Sequence, residues 1–402
     1  MIALVGIAEI RSARRVVGPV LRPTATEISD NLSRLCGRRL LLKAEHLQRT
    51  GSFKIRGAYN AIAPHRGTRR EIVAASAGNH AQGVALAASL CELPSTIFMP
   101  TTASLPKVEA TRAYGGTVRF EGHVLDETLA AAHAYATDHG ASFIPPFDDP
   151  LVIAGQGTCG LEIAAQAPGA EVVVVPIGGG GLISGIAAAL RAVRPAAKVI
   201  GVEAAGAASM VASLKAGSPV TLPVVQTMAD GIALKAPGPL TLAHVDALVD
   251  DVVTVTEEEI GNALVLLLER AKAVVEPAGA VSVAALLAGK IPGTGTAVAV
   301  LSGGNVDSLL LSHLIERGLS AAGRYLRFRV VAPDQPGSLA AVTRAVADLG
   351  LNVLDVEHIR ASVALGMNEV EIVFTVETRN PDHRDEAIAA VAALGFDVER
   401  LP

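Results

Sequence analysis

Four short runs in this chain bring together side chains able to act on an amine and an aldehyde. Ser52-Phe53-Lys54-Ile55-Arg56-Gly57 places an amine beside an aromatic ring, and Ser76-Ala77-Gly78-Asn79-His80 is a polar glycine turn. Gly178-Gly179-Gly180-Gly181-Leu182 is a tetraglycine run, and Ser302-Gly303-Gly304-Asn305 brings a late serine. A lysine amine condenses with an aldehyde and, once released, removes a proton as a base. An exposed lysine is protonated near pH 7, so that use requires desolvation or nearby positive charge. Four glycines ahead of a helix let backbone N–H groups converge on a phosphate, and the helix N-terminus adds favourable partial charge. Amine, phosphate cradle and a polar partner for a ring nitrogen are together what pyridoxal 5′-phosphate needs. Any one run alone would be read as surface lysine, turn or cap; the set of four is specific.

The tetraglycine run by itself signals an anion without saying which. No Gly-Lys-Ser/Thr follows it, so it is not a Walker loop. A dinucleotide site, and hence a nicotinamide-dependent dehydrogenase, is the serious competitor, because Glu203 ends the next strand about where a ribose-binding acid would sit. A G-x-G-x-x-G frame starting at Gly178 would need glycine at 183, where Ile183 stands. That reading also leaves Lys54 unused.

The elements that must position these runs alternate between strand and helix from about residue 40 to 305, the pattern of a parallel α/β sheet with helical crossovers. Strands are expected at 40–43, 71–75, 95–99, 117–120, 141–144, 171–176, 198–203 and 296–301. The successive valines of 172–175 suit a strand buried on both faces. Helices are expected at 53–63, 81–90 and 182–192, which leaves Asn79 in a turn between strand and helix. The 402 residues are 50% hydrophobic and 18% charged, which excludes a disordered chain. The formal net charge of −5 gives no support for nucleic-acid binding, and no apolar run approaches a membrane span. Cys36, Cys91 and Cys159 are odd in number and widely spaced. They form neither a metal cluster nor a disulfide framework, and reduced thiols suit a cytoplasmic protein.

On its four ordered motifs the chain resembles, over roughly residues 15–318, the serine/threonine dehydratases among the fold-type II pyridoxal phosphate enzymes. The resemblance implies a two-lobed, tryptophan synthase beta-like catalytic domain over 1–318. Its smaller lobe would lie roughly at 50–150, with the cofactor in the cleft. It implies that Lys54 holds the cofactor and serves as catalytic base. Phe53, Asn79, Gly178, Gly179, Gly180, Gly181, Leu182, Glu276 and Ser302 would surround the cofactor. Ser76, Ala77, Gly78, Asn79 and His80 would receive the substrate. The implied reaction is loss of water from L-threonine to give 2-oxobutanoate and ammonia, with L-serine as a secondary substrate. Serine as ring-nitrogen partner agrees, because a hydroxyl cannot enforce a protonated ring, and a weaker electron sink favours expulsion of a β-substituent.

Serine racemase and serine-preferring dehydratases are the rivals inside the family. Racemases are expected to carry a second serine where Ala77 stands, and alanine cannot transfer a proton. Related enzymes bind a divalent cation through a glutamate, a carbonyl and an aspartate. Glu203 and Ala207 match the first two, but Ser209 occupies the aspartate position, so no metal is expected.

After residue 318 the character changes. Residues 319–324 are rich in small residues and read as a linker. Residues 325–402 follow the order βαββαβ: alternation at 326–331, a helix from Ser338 to Leu349, strands at 352–360 and 370–376, a helix at 383–394 and a last strand at 396–401. That order is ferredoxin-like. With Asp334-Gln335-Pro336-Gly337-Ser338-Leu339 it resembles an ACT regulatory domain. The resemblance implies a homodimer or homotetramer, allosterically tuned by a branched-chain amino acid and serving amino-acid metabolism such as isoleucine biosynthesis. A dimerisation lobe without ligand, or an amino-acid sensor that is no enzyme, are the alternatives.

Overall fold

The structure, a computed structural model, describes residues 2–401 apart from 308, 310, 314–323, 361–364 and 367. It divides into two compact units, Met1–Asp307 and Ser308–Pro402. The expected boundary at 318 and all of the linker 319–324 except Arg324 lie outside the described residues.

The first unit holds two sheets. β1 (Thr26–Ile28), β2 (Leu40–Lys43), β7 (Val172–Pro176), β8 (Lys198–Ala204), β9 (Asp251–Val255) and β10 (Ala297–Val300) form one, in the order β1-β2-β10-β7-β8-β9. β1 is antiparallel and every other pairing is parallel. β3 (Ile72–Ala75), β4 (Ser95–Met99), β5 (Thr117–Phe120) and β6 (Ser142–Phe143) form the other, wholly parallel, in the order β5-β4-β3-β6. β7 lies inside the larger sheet, and all five of its residues are buried, as its valine run requires. The smaller sheet packs its helices over Ile72, Ala74 and Ile97, with Ile55 and Ile62 of helix Lys54–Ile62 in the same core. The larger core gathers Val173, Val175, Ile183, Ile186, Val298 and Val300.

The topology explains where the four runs meet. β2, β10 and β7 are parallel neighbours, so the segments leaving their carboxyl ends emerge on one edge. The Lys54 run follows β2, Ser302 follows β10, and the glycines follow β7. The Ser76 turn leaves the carboxyl end of β3 in the smaller sheet. Ligands in open α/β sheets bind at such carboxyl ends.

Several expectations need correction. Asn79 is not in a turn: it is the first residue of helix Asn79–Leu90, with Gly78 as N-cap. The expected strand 141–144 pairs only over Ser142–Phe143. β1, β9 and helices Ile7–Val17 and Asp30–Cys36 were not foreseen. β9 is a sheet edge whose residues are mostly half-buried, and it gives a weaker pattern than the inner strands.

The second unit is one antiparallel sheet of β11 (Tyr325–Pro333), β12 (Asn352–Ile359), β13 (Glu369–Glu377) and β14 (Asp397–Arg400), in the order β12-β13-β11-β14. Helices Ser338–Asp348 and Pro381–Ala392 cover one face. Phe328 and Phe374 stack there at 5.4 Å between centroids, with Val342 and Ala387 in the same core. The sheet is ferredoxin-like, and β11 alternates as its sequence does: Leu326, Phe328 and Val330 are buried, while Tyr325 and Val331 lie half-buried on the opposite face.

Candidate active site

One pocket of the first unit is lined by Phe53, Lys54, Asn79, Gly178–Gly181, Leu182, Glu276 and Ser302. Every residue that sequence reasoning placed around the cofactor is therefore at one place. Ser76, Ala77 and Gly78 lie half-buried in the adjoining turn, where Ser76 Oγ accepts from the Gly78 amide at 3.1 Å.

Lys54 opens its helix. Its Nζ donates to the Pro146 carbonyl oxygen at 2.9 Å and lies 5.2 Å from the Phe53 ring centroid. Burial pulls its pKa down to about 8, against the opposing charge of Glu276. The amine can thus reach its neutral, nucleophilic form close to physiological pH. The preceding residues are fastened to the Ser302 segment: the Phe53 amide donates to the Ser302 carbonyl at 3.1 Å, and Ser52 bridges Gly303.

The glycines leave β7 and lead into helix Gly181–Val193. Gly180 has φ +90, a conformation that side chains disfavour. At Gly179 a Cβ would lie 2.3 Å from the Phe147 ring. The run therefore keeps bare backbone facing the pocket at a helix N-terminus, which suits a phosphate.

Asn79 Nδ2 donates to Glu276 Oε1 at 2.7 Å. Glu276 is buried, and that burial raises its pKa to about 7, helped by Asp230. His80 is buried with Nε2 at 2.9 Å from the Ile144 carbonyl oxygen. Burial, then Lys54, lowers its pKa to about 3. The ring is accordingly neutral, with Nε2 donating and Nδ1 free to accept. Ser302 Oγ lies in the pocket, 3.5 Å from the Ala278 carbonyl oxygen.

The amine, the amide-lined cradle, the hydroxyl and the Phe53 ring fit pyridoxal 5′-phosphate in the types of group and in their convergence. Sequence reasoning missed Phe147, Gly231, Ile232 and Leu234, which also line the pocket, and the Pro146 carbonyl that accepts from Lys54. None sits in a run whose residue types announce chemistry. It also missed two ion pairs across the cleft, Lys107–Asp230 at 2.5 Å and Lys235–Asp126 at 3.0 Å.

Glu203 does not face this pocket as a cofactor acid. Its carboxylate accepts from the amides of Met210 and Val211 at 2.8 and 2.9 Å, at the start of helix Ser209–Ala216. Burial raises its pKa to about 7. Among the described residues no group of three or more His, Cys, Asp or Glu could hold a metal ion. No helix among them is long and apolar enough to cross a membrane.

Comparison with known proteins agrees with this geometry. The family model described as pyridoxal-phosphate dependent enzyme matches residues 17–303, and the ACT domain model matches 327–396. The L-threonine ammonia-lyase of Geobacter sulfurreducens is 46% identical over 401 residues, 99% of this chain and 98% of that protein. The L-threonine ammonia-lyase of Thermotoga maritima is 46% identical over 398 residues, 98% of this chain and 99% of that protein. Among solved structures, maize serine racemase aligns with TM-score 0.74 and 35% identity, over 79% of this chain and 99% of that one.

Proposed function

This chain belongs to the pyridoxal-phosphate dependent enzyme family and ends in an ACT domain, and from that premise we propose that it is an L-threonine ammonia-lyase. The observation that carries the reading is the convergence of Lys54, Asn79, the Gly178–Gly181 cradle, Glu276 and Ser302 on one pocket. It is joined by 46% identity, end to end, with an L-threonine ammonia-lyase.

When bound, pyridoxal 5′-phosphate supplies an aldehyde for the substrate amine and a conjugated ring that takes up the electron pair left at the α-carbon. Lys54 would hold it, and the freed Lys54 amine would take the α-proton of the substrate. The Gly178–Gly181 amides would receive the phosphate, Ser302 would serve the ring nitrogen, and Asn79 would offer its amide to the phenolic oxygen. Phe53 and Leu182, which line the same pocket, would offer apolar surface to the ring. The amides of the Ser76–His80 segment, at the start of helix Asn79–Leu90, receive the substrate carboxylate. L-threonine loses its α-proton and its β-hydroxyl as water. Water returns when the released enamine tautomerises and hydrolyses, so the net products are 2-oxobutanoate and ammonia. L-serine lacks only a methyl group, a difference worth about 1–3 kcal/mol of discrimination. Ala77 offers no proton on the second face, which favours elimination over racemisation.

For the C-terminal unit we infer pairing with a second copy and binding of a branched-chain amino acid such as isoleucine. The sheet face opposite the helices carries Tyr325 and Val331, and edge strand β12 leaves Val353 and Leu354 exposed at 38% and 45%. The turn at Gly337, φ +105, opens helix Ser338–Asp348 and offers amides to a carboxylate. A homodimer or homotetramer follows, with site-to-site coupling of roughly 1–3 kcal/mol. The unpaired Cys36, Cys91 and Cys159 suit a reducing, cytoplasmic setting.

The test is product analysis. Purified protein supplied with cofactor and L-threonine releases 2-oxobutanoate and ammonia, and Lys54→Ala does not. Turnover by a homogeneous Lys54→Ala protein at near wild-type rate overturns the assignment. Calorimetry on the intact chain tests the effector: no amino-acid binding outside the catalytic pocket makes the second unit architectural.

A further inference from the structure

The segment that supplies Ser302 continues to Asn305, whose side chain reaches Asn79 of the pocket lining. Asn305 Nδ2 donates to the Thr50 carbonyl oxygen at 2.6 Å and to Asn79 Oδ1 at 2.8 Å, with Gln82 Oε1 further away at 3.4 Å. A backbone carbonyl can only accept, so the Thr50 contact fixes which end of the Asn305 amide is nitrogen. With one proton given to Thr50, the other needs an acceptor, and Asn79 supplies its oxygen. That leaves the Asn79 nitrogen on the opposite side, where it donates to Glu276 Oε1 at 2.7 Å. The polarity of the row Thr50, Asn305, Asn79, Glu276 is thus set from its backbone end.

The same amide grips the chain just ahead of Lys54. Thr50 has φ 63 and Gly51 φ 71, two successive left-handed residues, the first of which is not glycine. A Cβ on Gly51 would lie 2.3 Å from Asn305 Oδ1, and the Gly304 amide donates to the Gly51 carbonyl at 2.9 Å. The strained turn therefore sits directly against the segment 304–305.

We propose that Asn305 is the positioning residue that holds the Asn79 amide with its donating end toward Glu276 and the pocket. It acts through Asn79. The inference rests on the pyridoxal phosphate reading of the pocket, in which that donating end meets the cofactor.

The experiment compares Asn305→Asp with Asn305→Ala. Cofactor is titrated onto cofactor-free protein and followed by its visible absorbance, with thermal melting as a check on folding. Aspartate has nearly the shape of asparagine but near neutral pH it only accepts, so it draws the Asn79 nitrogen toward itself and turns an oxygen to Glu276. Alanine removes the donor without reversing anything. Cofactor affinity is expected to fall in the order wild type, Ala, Asp, with Asn305→Asp at least roughly tenfold weaker than wild type. In turnover, kcat should fall more than KM rises. A contribution through shape alone would leave Asn305→Asp near wild type and put Asn305→Ala last, which overturns the proposal.

A double-mutant cycle decides independently if Asn305→Asp fails to fold. In an Asn79→Ala background, Asn305→Ala should cost clearly less cofactor affinity than it does in wild type, the remainder being the lost grip on Thr50, whereas fully additive losses refute the coupling. The binding readout needs no substrate. A failure of the threonine reading therefore shows separately, as wild-type protein that takes up cofactor but releases no 2-oxobutanoate.

Discussion

Arg56→Met should remove much of the protein's margin of stability, and the arithmetic comes from five hydrogen bonds. Arg56 is 1% exposed. Its Nε and Nη2 donate to the two oxygens of Glu45 at 2.7 and 2.8 Å. Its Nη1 and Nη2 donate to the two oxygens of Glu162 at 2.7 and 2.9 Å, and Nη1 donates to Thr158 Oγ1 at 3.1 Å. All five guanidinium protons are used, and lysine, with three donors, could not replace them. Lys43 Nζ completes the group at 2.6 Å from Glu162, so two cations meet two carboxylates. Removing one partner of a buried pair typically costs about 3–5 kcal/mol, against a total stability of about 5–15 kcal/mol. Removing Glu45 together with Arg56 leaves Lys43 and Glu162 paired, so Glu45→Leu/Arg56→Met should recover most of the loss. The sign of the pH dependence also follows. Burial pushes the Glu45 carboxyl up, and Arg56 more than reverses this, holding it below the ordinary carboxylate value. Its stabilising contribution is present above the unfolded pKa and is lost as acid reaches the folded value. Without Arg56 the carboxyl moves up instead, so the penalty of the single variant should be largest near pH 8 and shrink toward pH 5. Guanidinium unfolding at both pH values measures this. A single-variant loss below about 1 kcal/mol, or a double variant no better than the single, would refute the reasoning.

Gly179→Ala should weaken cofactor binding by tenfold or more, because its Cβ would lie 2.3 Å from the Phe147 ring and overpacking typically costs about 1–3 kcal/mol; absorbance titration checks it. Glu276→Gln should gain stability over wild type as pH rises from 5 to 8. The raised pKa of about 7 makes the native state hold a proton that the unfolded state has already lost, so wild type weakens through that window. Melting curves at the two pH values measure the gap, and a gap that does not widen counts against a buried, protonated Glu276. With Ala77 on the second face, D-serine should form from L-serine far more slowly than pyruvate; chiral analysis showing equal rates would favour a racemase.

The catalytic constellation was legible because its residue types are unusual in sequence: four successive glycines after a valine strand, and a serine closing another buried strand. The parallel alternation was readable too, whereas the strand order that makes β2, β10 and β7 neighbours appears only in the fold. The order βαββαβ was equally readable, since β11 alternates buried and open residues in step with its sequence. What escaped was the set of contacts made only by folding. Arg56, a plain basic residue two positions from Lys54, is saturated by Glu45 and Glu162, whose spacing carries no signal. Phe147 reaches the pocket, and the Pro146 carbonyl reaches Lys54, from the segment before helix Pro150–Gln166, and Glu203, suggestive as an acid after a strand, caps a helix instead. Asn79 belongs to its helix because that helix starts two residues earlier than the apolar pattern does, with Gly78 as cap.

The central claim, that Lys54 is the amine which holds the cofactor, is tested most directly by borohydride. Reduction of the cofactor-loaded protein makes the lysine link permanent, and peptide mapping then locates the label. The visible absorption should be lost, and a single labelled peptide should carry Lys54. Label on another lysine, such as the buried and carboxylate-paired Lys43, or no label at all on protein that still turns over L-threonine, would contradict the claim.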